Sequence, residues 1–124
     1  MSRITESAKT EKPADKVFEF LSNIKEMPKW SYVIKGIETN PDGTFKGETS
    51  YGPFNFKWDV DQANKKCTMT ANIMGQDYSS SYAIKEESGK TVVQVDYPLN
   101  PGATKDQVLS IIQFELNKLF SLVK

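Results

Sequence analysis

The strongest constraint in this chain is a period of two that persists through its middle. Phe54, Phe56, Trp58 and Val60 alternate with Asn55, Lys57 and Asp59. Cys67, Met69, Ala71 and Ile73 alternate with Thr68, Thr70 and Asn72, and Tyr78, Ser80, Tyr82 and Ile84 share one face of the next run. Phe45, Gly47, Thr49 and Tyr51 form a weaker version, spaced by Lys46, Glu48 and Ser50. Successive side chains of a strand point to opposite faces, so each run specifies a strand with one buried face. The runs are bounded by Asn40-Pro41-Asp42-Gly43, Gly52-Pro53, Asn64-Lys65, Gly75-Gln76 and Ser88-Gly89, all turn chemistry. None of these leaves room for a crossover helix, so neighbouring strands must pair antiparallel, as a meander.

The flanks complete the order. Arg3 to Ala8 reads as a short first strand. Val17, Phe18, Phe20 and Leu21 suit a short amphipathic helix, with Pro13 in its first turn, where a missing N–H costs nothing. Ile24 to Trp30 reads as a second short helix, interrupted or ended near Pro28. Val33 to Glu38 and Val92 to Tyr97 are the outer strands of the meander, and Pro98 with Asn100-Pro101-Gly102 ends the sheet. Thr104 then caps a long helix from Lys105 to about Val123, with Gln107 as its capping-box partner.

That helix carries one apolar arc. At about 100° per residue, Val108, Leu109, Ile111, Ile112, Leu116, Leu119, Phe120, Leu122 and Val123 fall together, opposite Ser110, Gln113 and Asn117. Phe114 falls outside the arc and Glu115 falls inside it, between Ile112 and Leu119. An acid there points toward the sheet. Burial would raise its pKa and make it an anchor, acid or base. The alternative is a partnered structural acid, at the wet end of a cleft or paired with Arg3 or a lysine.

Composition removes many functions. The 124 residues suit one domain, residues 1–124. Sixteen basic and sixteen acidic residues cancel, so no electrostatic footprint for nucleic acid or an anionic membrane is present. There is no histidine, which excludes Ser-His-Asp and Cys-His chemistry and the common zinc sites. Cys67 is the single cysteine and reads as a small buried hydrophobe. The N-terminus lacks the apolar run of a signal peptide, so a cytoplasmic location is expected.

The order of strand, two short helices, meander and long C-terminal helix resembles the START-like or SRPBCC superfamily. That group includes the polyketide cyclase and dehydrase-like proteins, the birch pollen allergen relatives and the lipid-transfer START domains. The local match is Lys12-Pro13-Ala14-Asp15-Lys16-Val17-Phe18-Glu19-Phe20-Leu21-Ser22-Asn23, then Met27-Pro28-Lys29-Trp30. Asn23 stands where many members carry an acid. The resemblance implies an α+β helix-grip fold: a curved antiparallel sheet of about seven strands wrapped around the C-terminal helix, with two short helices after strand one. It makes Trp30 a packing residue. It also implies that the concave face lines a cavity. Its wall would take Tyr51, Phe54, Phe56, Trp58, Met69, Tyr78 and Tyr82 from the strands, and Ile112, Glu115 and Leu119 from the helix. The alternative is that these side chains fill the interior.

The resemblance points to neither a cofactor nor a metal. The expected partner is a small apolar or amphipathic molecule, such as a lipid, isoprenoid or polyketide-like ligand. No nucleic acid and no integral membrane segment are expected, and the protein would be a monomer or weak homodimer. Two other functions stay open. One is a cyclase or dehydratase using Glu115 with Tyr78 or Tyr82 for proton transfer. The other is a protein-interaction domain with a filled core, like the activators of the heat-shock ATPase.

Overall fold

A computed structural model describes residues 2–50, 52–73, 75–99 and 102–123. Strand β1 (Ser2–Thr10) leads into helix α1 (Ala14–Ser22), a single 3₁₀ turn at Ile24–Glu26 and helix α2 (Met27–Trp30). Then come β2 (Gly36–Thr39), β3 (Phe45–Thr49), β4 (Gly52–Asp61), β5 (Lys66–Ile73), β6 (Gln76–Glu87) and β7 (Lys90–Leu99), followed by helix α3 (Lys105–Leu122). Every pairing is antiparallel, in the order β1-β7-β6-β5-β4-β3-β2. The first strand closes on the last, with Ile4 opposite Tyr97 and Ala8 opposite Val93. This is the helix-grip arrangement expected from the element order.

Turn chemistry sets the registers. Glu87 pairs with Lys90, and between them Ser88 and Gly89 both take positive φ, 51° and 79°. That is the backbone of a type I′ hairpin turn, which matches the twist of the strands it joins. Gly43, at φ 90°, closes the turn that begins at Asn40.

Helix α3 begins as expected. The Thr104 hydroxyl accepts from the Gln107 N–H at 3.2 Å, and Gln107 Oε1 accepts from the Thr104 N–H at 3.0 Å. Two otherwise orphaned donors are satisfied reciprocally. Its inner face buries Val108, Ile112, Leu116, Leu119 and Phe120. The helix packs chiefly on β1, β7, α1 and α2. Gln113 is half-buried rather than fully on the solvent face, while Phe114 is 51% exposed, consistent with its place outside the arc.

Local readings needed correction at the prolines and at two strand ends. Pro28 opens α2 instead of ending a helix, because the first turn of a helix has no use for its missing N–H. Pro13 is the residue just before α1, its carbonyl accepting from the Lys16 and Val17 N–H groups. Pro53 and Pro98 lie within β4 and β7 instead of terminating strands. Both sit where their strand is paired on one side alone. Pro53 faces Glu48 of β3, and pairing with β5 starts only at Phe56. Pro98 faces Arg3 of β1, and pairing with β6 stops at Asp96. A proline is tolerated at such a local edge. β2 starts at Gly36, not Val33, because residues 31–34 are taken up by a serine-centred turn. Val60 is 41% exposed although it pairs with fully buried Cys67. Among the described residues no helix is long and apolar enough to cross a membrane.

Candidate functional site

A cavity of about 440 Å³ lies between the sheet, α2 with the loop that follows it, and Glu115 of α3. The aromatic side chains do not fill the interior. Trp30, Ile34, Phe54, Met69, Tyr78, Tyr82 and Tyr97 supply most of its wall, with Met27, Ala71 and the serines Ser31, Ser79 and Ser80. Exposed Pro53 and Ser79 mark its rim. The cavity sits where β4 and β7 each lose one neighbour, so both strand prolines border it.

Glu115 is the one carboxyl group on this wall, and it is 3% exposed. Its position follows from α3: the turn that buries Ile112, Leu116 and Leu119 turns Glu115 inward with them. The Tyr32 backbone N–H donates to Oε2 at 2.9 Å. The Tyr82 hydroxyl donates to Oε1 at 3.4 Å. The nearby Ser31 hydroxyl also favours the charged carboxylate. Ser31 Oγ accepts from the N–H groups of Val33 and Ile34, at 3.3 and 3.1 Å, and so shapes the loop beside the acid.

Among the described residues no cation pairs with Glu115. Arg3 Nε holds Asp96 Oδ1 at 2.8 Å, and its Nη2 donates to the Ser79 carbonyl at 2.7 Å. Lys35 Nζ donates to the Tyr32 carbonyl at 3.0 Å. Desolvation therefore dominates and pushes the Glu115 carboxyl up to about 7, against the three neighbouring groups that favour its charged form. Glu115 is thus neither at a wet end nor, among the described residues, paired with Arg3 or a lysine. Burial also raises the Tyr82 and Tyr97 hydroxyls far above their ordinary range, with the nearby Glu115 charge adding to it. Cys67 is fully buried, and desolvation lifts its thiol to about 12, which makes it inert. Among the described residues no group of three or more acids and cysteines comes together to hold a metal.

The expected wall is partly assembled. Phe54, Met69, Tyr78, Tyr82 and Glu115 meet at the cavity. Phe56, Trp58, Ile112 and Leu119 do not line it, although all four are on the inward faces expected of them. Phe56 is packed between Phe45 and Phe54, with ring centroids 5.9 and 5.4 Å away. Trp58 spends its indole N–H on the Ser22 carbonyl at 3.2 Å, tying β4 to the end of α1. Ile112 and Leu119 are fully buried in the apolar core. Tyr51 lies outside the described residues. The reading from sequence missed Met27, Trp30, Ser31, Ile34 and Tyr97. Tyr97 could have been found, since it continues the Val93–Val95 alternation on the inner face. Trp30 does pack as expected, edge-on to Tyr82 at 5.5 Å, but it also forms cavity wall.

A family model described as polyketide cyclase/dehydrase and lipid transport matches residues 1–120. No curated protein matches the chain by sequence. Solved structures share its fold. The protein XoxI from Bacillus cereus superposes with a TM-score of 0.76 at 17% identity, covering 99% of this chain and 96% of that one. A START superfamily protein from Mycobacterium smegmatis gives 0.70 at 15% identity, over 98% and 96% of the two chains. The di-domain aromatase/cyclase StfQ of the steffimycin biosynthetic pathway gives 0.75 at 14% identity, over 97% of this chain and 44% of that larger one.

Proposed function

Because the chain belongs to the polyketide cyclase/dehydrase and lipid-transport family, we propose that it holds a small apolar or amphipathic molecule between its sheet and α3. The observation that carries this reading is the cavity of about 440 Å³. Ligand sites commonly enclose roughly 300–1,000 Å³, with mostly apolar walls and a few placed polar groups. Here the polar groups are the Glu115 carboxyl, the Tyr78, Tyr82 and Tyr97 hydroxyls and the wall serines. An apolar body would replace water against Phe54, Met69 and Ile34, and its polar end would settle near Glu115. A lipid, isoprenoid or polyketide-like molecule has this character. The cavity speaks against an interaction domain with a filled core.

A second reading, a cyclase or dehydratase, is favoured by one observation. Glu115 is held near pKa 7, and the Tyr82 hydroxyl donates to it at 3.4 Å. An acid poised near the working pH can both give and take a proton. In that reading Glu115 moves the proton and Tyr82 orients it.

Native mass spectrometry of freshly purified protein tests the binding reading. A bound small molecule, released on denaturation, is the expected result. Protein that is bare and also fails to take up neutral apolar probes would contradict it.

A further inference from the structure

The cavity wall carries one carboxylate and, among the described residues, no lysine or arginine. Arg3, opposite the wall residue Pro98, and Lys35, next to the wall residue Ile34, are already committed. Arg3 is held by Asp96 and the Ser79 carbonyl, and Lys35 by the Tyr32 carbonyl. An ionised carboxylate offers about four acceptor sites. Two hydrogen bonds address this one, from the Tyr32 N–H and the Tyr82 hydroxyl, with the Ser31 hydroxyl nearby. At 3.4 Å the Tyr82 bond is long, so Oε1 keeps room for a further donor. The Tyr82 hydrogen is spent on Glu115, while the Trp30 indole N–H is buried on the same wall without a partner. Aromatic rings stand around it: Trp30, Phe54, Tyr78, Tyr82 and Tyr97.

Such a site discriminates by the sign of the ligand's polar end. A buried carboxylate without a counter-ion is costly, and a ligand that brings the counter-ion removes that cost. Aromatic faces add attraction for a desolvated cation. An anionic end would meet either a like charge or a carboxyl it must keep neutral, with no basic group to receive it. We infer that the occupant is an apolar molecule ending in a basic amine, its ammonium group paired with Glu115, and that the same body ending in a carboxylate is rejected. This rests on the cavity being a ligand site.

Isothermal titration calorimetry of the full chain near neutral pH tests it with three probes that share one body: naphthylmethylamine, naphthylmethanol and naphthoic acid. The amine should bind at least about tenfold tighter than the alcohol, a difference that one close charge pair supplies. The acid should not bind measurably. In Glu115→Gln the amine should fall to the level of the alcohol, while alcohol binding persists and shows the cavity intact. An amine no tighter than the alcohol, an acid that binds best, or an amine preference that survives in Glu115→Gln would overturn the inference and leave the ligand cavity standing. Failure of all three probes would overturn the ligand cavity as well. Should Glu115→Gln not fold, the ranking of the three probes on the unmodified chain decides.

Discussion

The Tyr82 hydroxyl reaches Glu115 Oε1 across 3.4 Å, joining the middle of β6 to the inner face of α3 over the cavity. Tyr82 is 4% exposed and packs against both Trp30 and Trp58, at centroid distances of 5.5 and 6.1 Å. The ring is thus fixed between α2 and β4 by apolar contacts, and its hydroxyl is delivered to the acid. Here β6 and α3 meet through a polar side-chain contact at the cavity.

Stability should depend on the charge of Glu115. Its folded pKa, about 7, lies above the ordinary 4.5, so the folded state holds the proton more tightly than the unfolded chain. That contribution is fully present below about pH 4.5 and is lost as pH rises through about 7, for a total on the order of 3 kcal/mol. Glu115→Gln removes the titration. The variant should be more stable than the unmodified chain at about pH 8 and differ little at about pH 4. Asp15, Asp42 and Asp61 have lowered pKa values, so their pH dependence falls on the acid side of this window. Urea melts at the two pH values check the sign.

The inner face of α3 should be energetically distinct from its outer face. Leu119 is fully buried and Asn117 is exposed two residues away. Leu119→Ala should cost about 2–5 kcal/mol. Asn117→Ala should stay within about 0.5 kcal/mol. Equal shifts of the urea midpoint would mean that α3 is rotated from the orientation described.

Much of this was legible from the residues. Period two identified the inward faces of the central strands β3 to β6, and the single acid in the helical arc led to Glu115. Where along the strands the interior opens was not legible. Phe54 and Phe56 have identical local patterns, yet Phe54 borders the cavity and Phe56 is sealed in the core. The difference is set by β5, whose pairing with β4 begins at Phe56. Tyr32 holds Glu115 from a loop, and no periodicity describes where a loop's donors point.

Gly47 should resist enlargement. A Cβ there would lie 3.2 Å from ring carbons of both Phe54 and Phe56, and 3.5 Å from Ile34. Those rings are held by each other and by Phe45, so they give way at a cost. Gly47→Ala should destabilise by about 1–3 kcal/mol, as overpacked cores do. Because Phe54 and Ile34 are cavity wall, probe binding should weaken as well, measured on the folded fraction.

The capping box should anchor the helix that carries the acid. Thr104→Ala removes the acceptor for the Gln107 N–H and should cost about 1 kcal/mol. Gln107→Ala should cost less, since it leaves the Thr104 hydroxyl in place. Chemical denaturation of the two variants gives the order.

The most direct measurement of the central claim is two-dimensional NMR of the isotope-labelled chain titrated with a neutral apolar probe such as N-phenylnaphthylamine. Saturable shifts should appear at one site, strongest at Phe54, Met69, Tyr78, Tyr97 and Glu115, the residues that enclose the space of about 440 Å³. Exposed Val60, at the far end of β4, should not respond. A titration that does not saturate, or that leaves the cavity residues unmoved while surface residues shift, would contradict the assignment of this cavity as a ligand site.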